Sequence, residues 1–147
     1  MKAAMMTRVK TSSLFLAVAV ALVGGAARAD DPDPATLYKL HTAETSPKVK
    51  AGEKGKWILE IRPQGGAHVS EEAPLRIELA GTHVTPDKAK LARADAVGKG
   101  PIPRFEVPFT GSEAGKGSVD ANVTFFICTE KVCARQQQKL SVPVEVN

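Results

Sequence analysis

The chain has 147 residues, with 20 Lys and Arg against 16 Asp and Glu, and two Cys. Its excess positive charge lies at the start, where Lys2, Arg8, Lys10 and Arg28 precede every acid, so the remainder is neutral (20 − 4 = 16 bases against 16 acids). That balance excludes a basic surface able to follow a phosphate backbone, and nucleic acid is not an expected partner.

Residues 1–10 are basic, residues 14–27 are apolar without a charge, and Ala27-Arg28-Ala29 follows. This order predicts a secretory signal peptide over residues 1–29, cleaved after Ala29. The apolar run is shorter than the roughly 20 residues of a membrane-spanning helix. The mature chain is then 147 − 29 = 118 residues, one domain's worth and soluble. It begins with no Cys that could carry a lipid. It also keeps none of Met1, Met5 and Met6, so no Met-based copper site is expected.

Residues 30–48 read as an N-terminal extension, opened by Asp30-Asp31-Pro32-Asp33-Pro34. Residues 35–40 fit a short helical turn or a first strand equally. Lys48 to Lys56 reads as a charged turn. Five segments then alternate with period two, the pattern of half-buried strands. Trp57, Leu59 and Ile61 share one face of the first, which ends at Pro63-Gln64-Gly65-Gly66. Leu75, Ile77 and Leu79 share a face of the second. Phe105, Val107 and Phe109 mark the third, where Pro108 lacks an amide and predicts an edge or a bulge. Val119, Val123, Phe125 and Ile127 mark the fourth, running from Ser118 to Cys128. Leu140, Val142, Val144 and Val146 mark the fifth. Between the second and third, His83 to Leu91 is a weaker strand candidate and Thr85 to Arg93 a helix candidate, with Thr85 as cap, Pro86 in the first turn and only a thin apolar stripe. Many short strands with turn residues between them predict an all-β antiparallel sandwich.

Cys128 and Cys133 bracket Thr129-Glu130-Lys131-Val132 at the connection between two late strands. In a secreted chain a disulfide between them is the default. A loop this short yields only about 2 kcal/mol of chain-entropy stabilisation. Two readings stand side by side: a structural clip, or a redox pair that exchanges disulfides. Exchange requires an exposed sulfur and a readily formed thiolate. A hairpin tip offers exposure, and Lys131 and Arg135 favour a thiolate while Glu130 opposes it.

The run from Val123 to Cys133 (Val-Thr-Phe-Phe-Ile-Cys-Thr-Glu-Lys-Val-Cys), with the closing Val142-Pro143-Val144-Glu145-Val146, resembles the N-terminal periplasmic domain of the disulfide interchange protein DsbD family. The stretch from Ile61 to Leu75 resembles that family's strand, Gly-rich turn, His-containing stretch and Ala-Pro. The resemblance covers residues 49–147. It implies an immunoglobulin-like sandwich in the periplasm, and a thiol-disulfide relay between thioredoxin-fold or membrane thiol proteins. It also implies catalytic roles for Cys128 and Cys133, with Cys133 as the attacking sulfur and Cys128 as the resolving one. The alternative from the residues alone is a non-catalytic secreted binding domain with a fixed hairpin disulfide.

Other constellations point to less. His41, His68 and His83 are far apart and unpaired in sequence, so no metal site is expected, although Cys128, Cys133 and a His form a conceivable Cu(I) set. No cofactor signature and no hydrolase elbow occurs. Glu71-Glu72 reads as a solvated turn. Asn122-Val123-Thr124 matches a glycosylation sequon but falls inside a predicted strand, and Gln136-Gln137-Gln138 is the only low-complexity run.

Overall fold

The computed structural model describes residues 30–98 and 100–147; the predicted signal peptide lies outside them. The all-β sandwich predicted from the alternating segments is the fold found. Ten strands form a four-stranded sheet ordered β1-β3-β8-β6 and a larger sheet ordered β2-β10-β9-β5-β7, with β4 also paired to β9. They are β1 (Tyr38–His41), β2 (Lys48–Val49), β3 (Lys54–Pro63), β4 (His68–Val69), β5 (Arg76–Thr82), β6 (Val84–Pro86), β7 (Lys90–Ala92), β8 (Arg104–Gly111), β9 (Gly115–Cys128) and β10 (Cys133–Val146). Every pairing is antiparallel except that of β2 with β10. No α-helix occurs among the described residues.

Alternation puts one face of each strand into a shared core. Trp57, Leu59, Ile61, Phe105, Val107 and Phe109 enter it from the smaller sheet. Ile77, Val119, Val123, Phe125 and Ile127 enter it from the larger one, and all are buried. Tyr38 crosses the layers: its ring meets Phe125 edge to face at a centroid distance of 4.8 Å.

The helix candidate over Thr85 to Arg93 is corrected. Residues 84–86 and 90–92 are strands on different sheets, followed by a 3-10 turn, Arg93–Asp95. Val84 and Leu91 are buried, and no 3.6-residue stripe joins them. The chain passes from β5 to β6 at His83, whose φ of 59° places it in the left-handed region. Close by, a Cβ on Gly117 would lie 2.3 Å from the carbonyl oxygen of Thr82, so this corner of the sandwich requires glycine.

Pro108 lies in β8, which is flanked by β3 and β6 and so is not an edge strand. Its carbonyl accepts a bond from the Asp87 amide at 2.8 Å, just past the end of β6. The nitrogen of an extended residue points to the same side as its carbonyl. The missing donor therefore falls where β6 has already stopped pairing.

Candidate functional site

The β9–β10 hairpin dominates the larger sheet. Its register runs unbroken from Cys128 opposite Cys133 to Gly115 opposite Val146. β10 thus begins at Cys133, seven positions before the predicted strand at Leu140. The early half was hidden because its inward positions include Gln136 and Gln138. Both amides bond the Tyr38 hydroxyl: its Oη donates to Gln136 Oε1 at 3.2 Å and accepts from Gln138 Nε2 at 2.8 Å. Gln136 and Gln138 thus form a polar seam between the sheets, while Gln137 is exposed and donates to Asn122 on the outer face.

Cys128 and Cys133 form a disulfide, with Cα atoms 4.0 Å apart. That spacing suits directly opposed residues in a pair without main-chain hydrogen bonds, for which about 4.5 Å is typical. The turn is closed independently of the sulfurs. The Thr129 amide donates to the Val132 carbonyl at 2.8 Å. The Thr129 hydroxyl oxygen also accepts from the amides of Lys131 and Val132.

The two sulfur residues differ in access. Cys128 is only 2% exposed, whereas Cys133 is exposed. The exposure expected of a hairpin tip is thus found at Cys133 and not at Cys128. That residue lies in a strand flanked on both sides, by Cys133 of β10 and by His68 of β4. His68 is the one predicted histidine brought to the cysteines; His41 is on β1 and His83 is at the β5–β6 corner. No group of three His, Cys, Asp or Glu side chains among the described residues has the geometry to hold a metal ion. His68 makes no side-chain hydrogen bond among the described residues.

Beside the hairpin tip is a cleft of about 330 Å³. Thr129, Lys131 and Val132 form one wall; Asp31, Leu37 and Gly65 face them. Lys131 bonds Asp31 at 2.9 Å, and that contact raises the ammonium pKa. Val132 is 49% exposed.

A second polar cluster covers the outer face of the smaller sheet. Arg104 on β8 bonds Glu44 at 2.7 Å and Glu106 at 3.0 Å, and also bonds Glu60. Arg62 reaches Glu60 at 2.6 Å and Lys56 reaches Glu106 at 3.0 Å. The Arg104 side chain lowers the pKa of Glu44. Glu60 is lowered by Arg62 first and Arg104 second, and Glu106 by Lys56 first and Arg104 second. Sequence reasoning missed this network because Glu44 is 60 residues from Arg104 in the chain and only the register brings them together. Every acid in it already has a cationic partner, so it carries structural pairing and no free base.

No family model matches the chain. No curated protein matches it. Similar solved structures include the solution structure of a lipoprotein from Bacteroides thetaiotaomicron, at 17% identity and TM-score 0.46, covering 74% of this chain and 78% of that one. They include a conjugate transposon protein from Bacteroides vulgatus, at 9% identity and TM-score 0.44, covering 74% and 83%. A conjugative transposon lipoprotein from Bacteroides eggerthii, at 9% identity and TM-score 0.41, covers 71% and 96%. The resemblance to the DsbD N-terminal domain is corrected: no family model and no curated protein supports it. In the motif that carried the resemblance, Phe125 packs inward and Cys128 is bonded to Cys133 across the hairpin. Pro143 sits on the side of β10 turned away from β9, where a missing amide costs no ladder bond.

Proposed function

We propose that the chain is a non-catalytic, secreted β-sandwich binding domain in which Cys128 and Cys133 form a structural hairpin clip. The observation that carries this reading is the placement of Cys128, 2% exposed and flanked on both sides by paired strands. An exchanging pair presents a sulfur beside a group that stabilises its thiolate; Cys133 is exposed, but the neighbouring cation Lys131 is held by Asp31. Here the hairpin is already closed by Thr129 and by a ladder along all 14 residues of β10. The bridge reinforces a geometry that the backbone sets. The predicted signal peptide together with the disulfide supports an extracytoplasmic location, where such bonds persist.

The deciding measurement is the reduction potential of the pair, from equilibration of native protein with thiol redox buffers. A structural clip lies below about −300 mV. A value near about −200 mV, in the range of exchanging proteins, would return Cys128 and Cys133 to a redox role.

A further inference from the structure

The phase of the β9–β10 ladder fixes which main-chain groups of β10 face outward. Thr129 and Val132 form a hydrogen-bonded pair, so pairs alternate from there, and the odd-numbered residues of β10 turn their amides and carbonyls away from β9. Glu145 confirms the phase, since its amide donates to the Pro47 carbonyl at 2.9 Å on that outer side. Beyond this point β2 supplies partners only opposite Glu145 and Val146. The main-chain groups of Arg135, Gln137, Lys139 and Ser141 have no backbone partner among the described residues. This open edge runs about 27 Å from Cys133 to Ser141 at strand rise. Inward-facing Gln136, Gln138, Leu140 and Val142 are only half-buried along it. The sheet thus ends one strand short of covering its own inner face.

We propose that the open edge of β10 is a docking site for an extended acidic segment of a partner protein, added as a further strand. This rests on the binding-domain reading and names the surface that binds. Long open edges accept strands through their main-chain groups, and side chains set which strand enters. The side chains here are basic. Arg135 and Lys139 share the outer face and make no ion pair among the described residues. A strand with carboxylates four residues apart places one opposite each. Alternate apolar residues of that strand would extend the half-covered inner face.

The same charges disfavour a second copy of this chain. A two-fold pairing centred on Gln137 sets Arg135 opposite Lys139. One centred on Gln138 leaves Lys139 diagonal to both bases of the copy. One centred on Lys139 opposes that residue to itself and places Pro143, which has no amide, opposite Arg135. Like charges across a strand pair are destabilising.

The test uses oxidised wild-type protein and two synthetic peptides. One reads Thr-Val-Glu-Val-Thr-Val-Glu-Val; the other carries Lys in place of Glu. Amide exchange by NMR and fluorescence titration are the readouts. The acidic peptide should protect the amides of Arg135, Gln137, Lys139 and Ser141 together, bind more tightly than the basic one, and weaken with salt. Gln137→Pro removes one outward donor without touching the β9 ladder. It should keep the native spectrum and lose about tenfold or more in affinity. The double variant Arg135→Glu/Lys139→Glu should reverse the preference. Unchanged exchange at those four amides, or full binding by the Pro variant, would overturn the proposal. So would edge protection in a peptide-free dimer, which would make a second copy the occupant. The bridge stays oxidised throughout, so the reduction potential tests the clip independently of peptide binding.

Discussion

Deleting the clip tests how the hairpin is held. The variant Cys128→Ala/Cys133→Ala opens a bridge between residues only 5 apart in sequence. Loop entropy for about six residues is worth about 2 kcal/mol. Truncating the Cys128 side chain, 2% exposed, adds about 1 kcal/mol of lost packing. The 118 residues after the predicted signal (147 − 29) have a melting entropy of about 0.25 kcal/mol/K, so about 3 kcal/mol lowers Tm by about 12 °C. Domains of this kind have about 5–15 kcal/mol to lose, so the variant stays folded at room temperature. The ladder and the Thr129 turn remain to hold the register. Circular dichroism melts should be compared for oxidised protein, reduced protein and the variant. Reduction alone should account for the loop part, about 8 °C. A variant unfolded at 25 °C would show that the bridge is a main support. A Tm unchanged within about 2 °C would show that it adds nothing.

Tyr38→Phe removes the hydroxyl between Gln136 and Gln138, and denaturant unfolding should show a loss of about 1 kcal/mol. No loss would mean that water replaces the hydroxyl without cost. Arg104→Ala acts through pH. Glu44, Glu60 and Glu106 have lowered folded-state pKa values, so their contribution is present above the ordinary carboxylate range and is lost as pH falls through the lowered values. The variant should therefore melt lower than the wild type near neutrality, and the gap should close in acid. A gap that stays constant down to about pH 2 would assign the Arg104 effect to packing instead of charge.

Strands that bury alternate large apolar residues were legible. Trp57-Leu59-Ile61, Ile77-Leu79, Phe105-Val107-Phe109 and Val119-Val123-Phe125-Ile127 all face the core. Elements whose inner face is polar or very short were not. The first half of β10 presents Gln136 and Gln138 inward, and their fitness for that place depends on Tyr38, about 100 residues away. β6 and β7 bury one large residue each, Val84 and Leu91, too few to show a period. At the candidate site, the disulfide followed from two cysteines in a predicted secreted chain. Its access did not, because the strand covering the far side of Cys128 is the two-residue β4. The open edge was also hidden, since sheet order is a property of the whole chain.

The position of β9 has a consequence for when the domain takes shape. This strand is the centre of the larger sheet, yet it begins at Gly115, long after β4 and β5, which pair with it. As the chain is synthesised, Ile77 and Leu79 emerge well before the strand that will hold them. The larger sheet cannot close until nearly the full length is available. Pairing over such separations is slow compared with a local hairpin. A precursor threaded across a membrane from its N-terminus would therefore travel with its main sheet unmade and assemble it on the far side. There the β9–β10 hairpin, whose contacts are local at its turn, is the natural place for assembly to start.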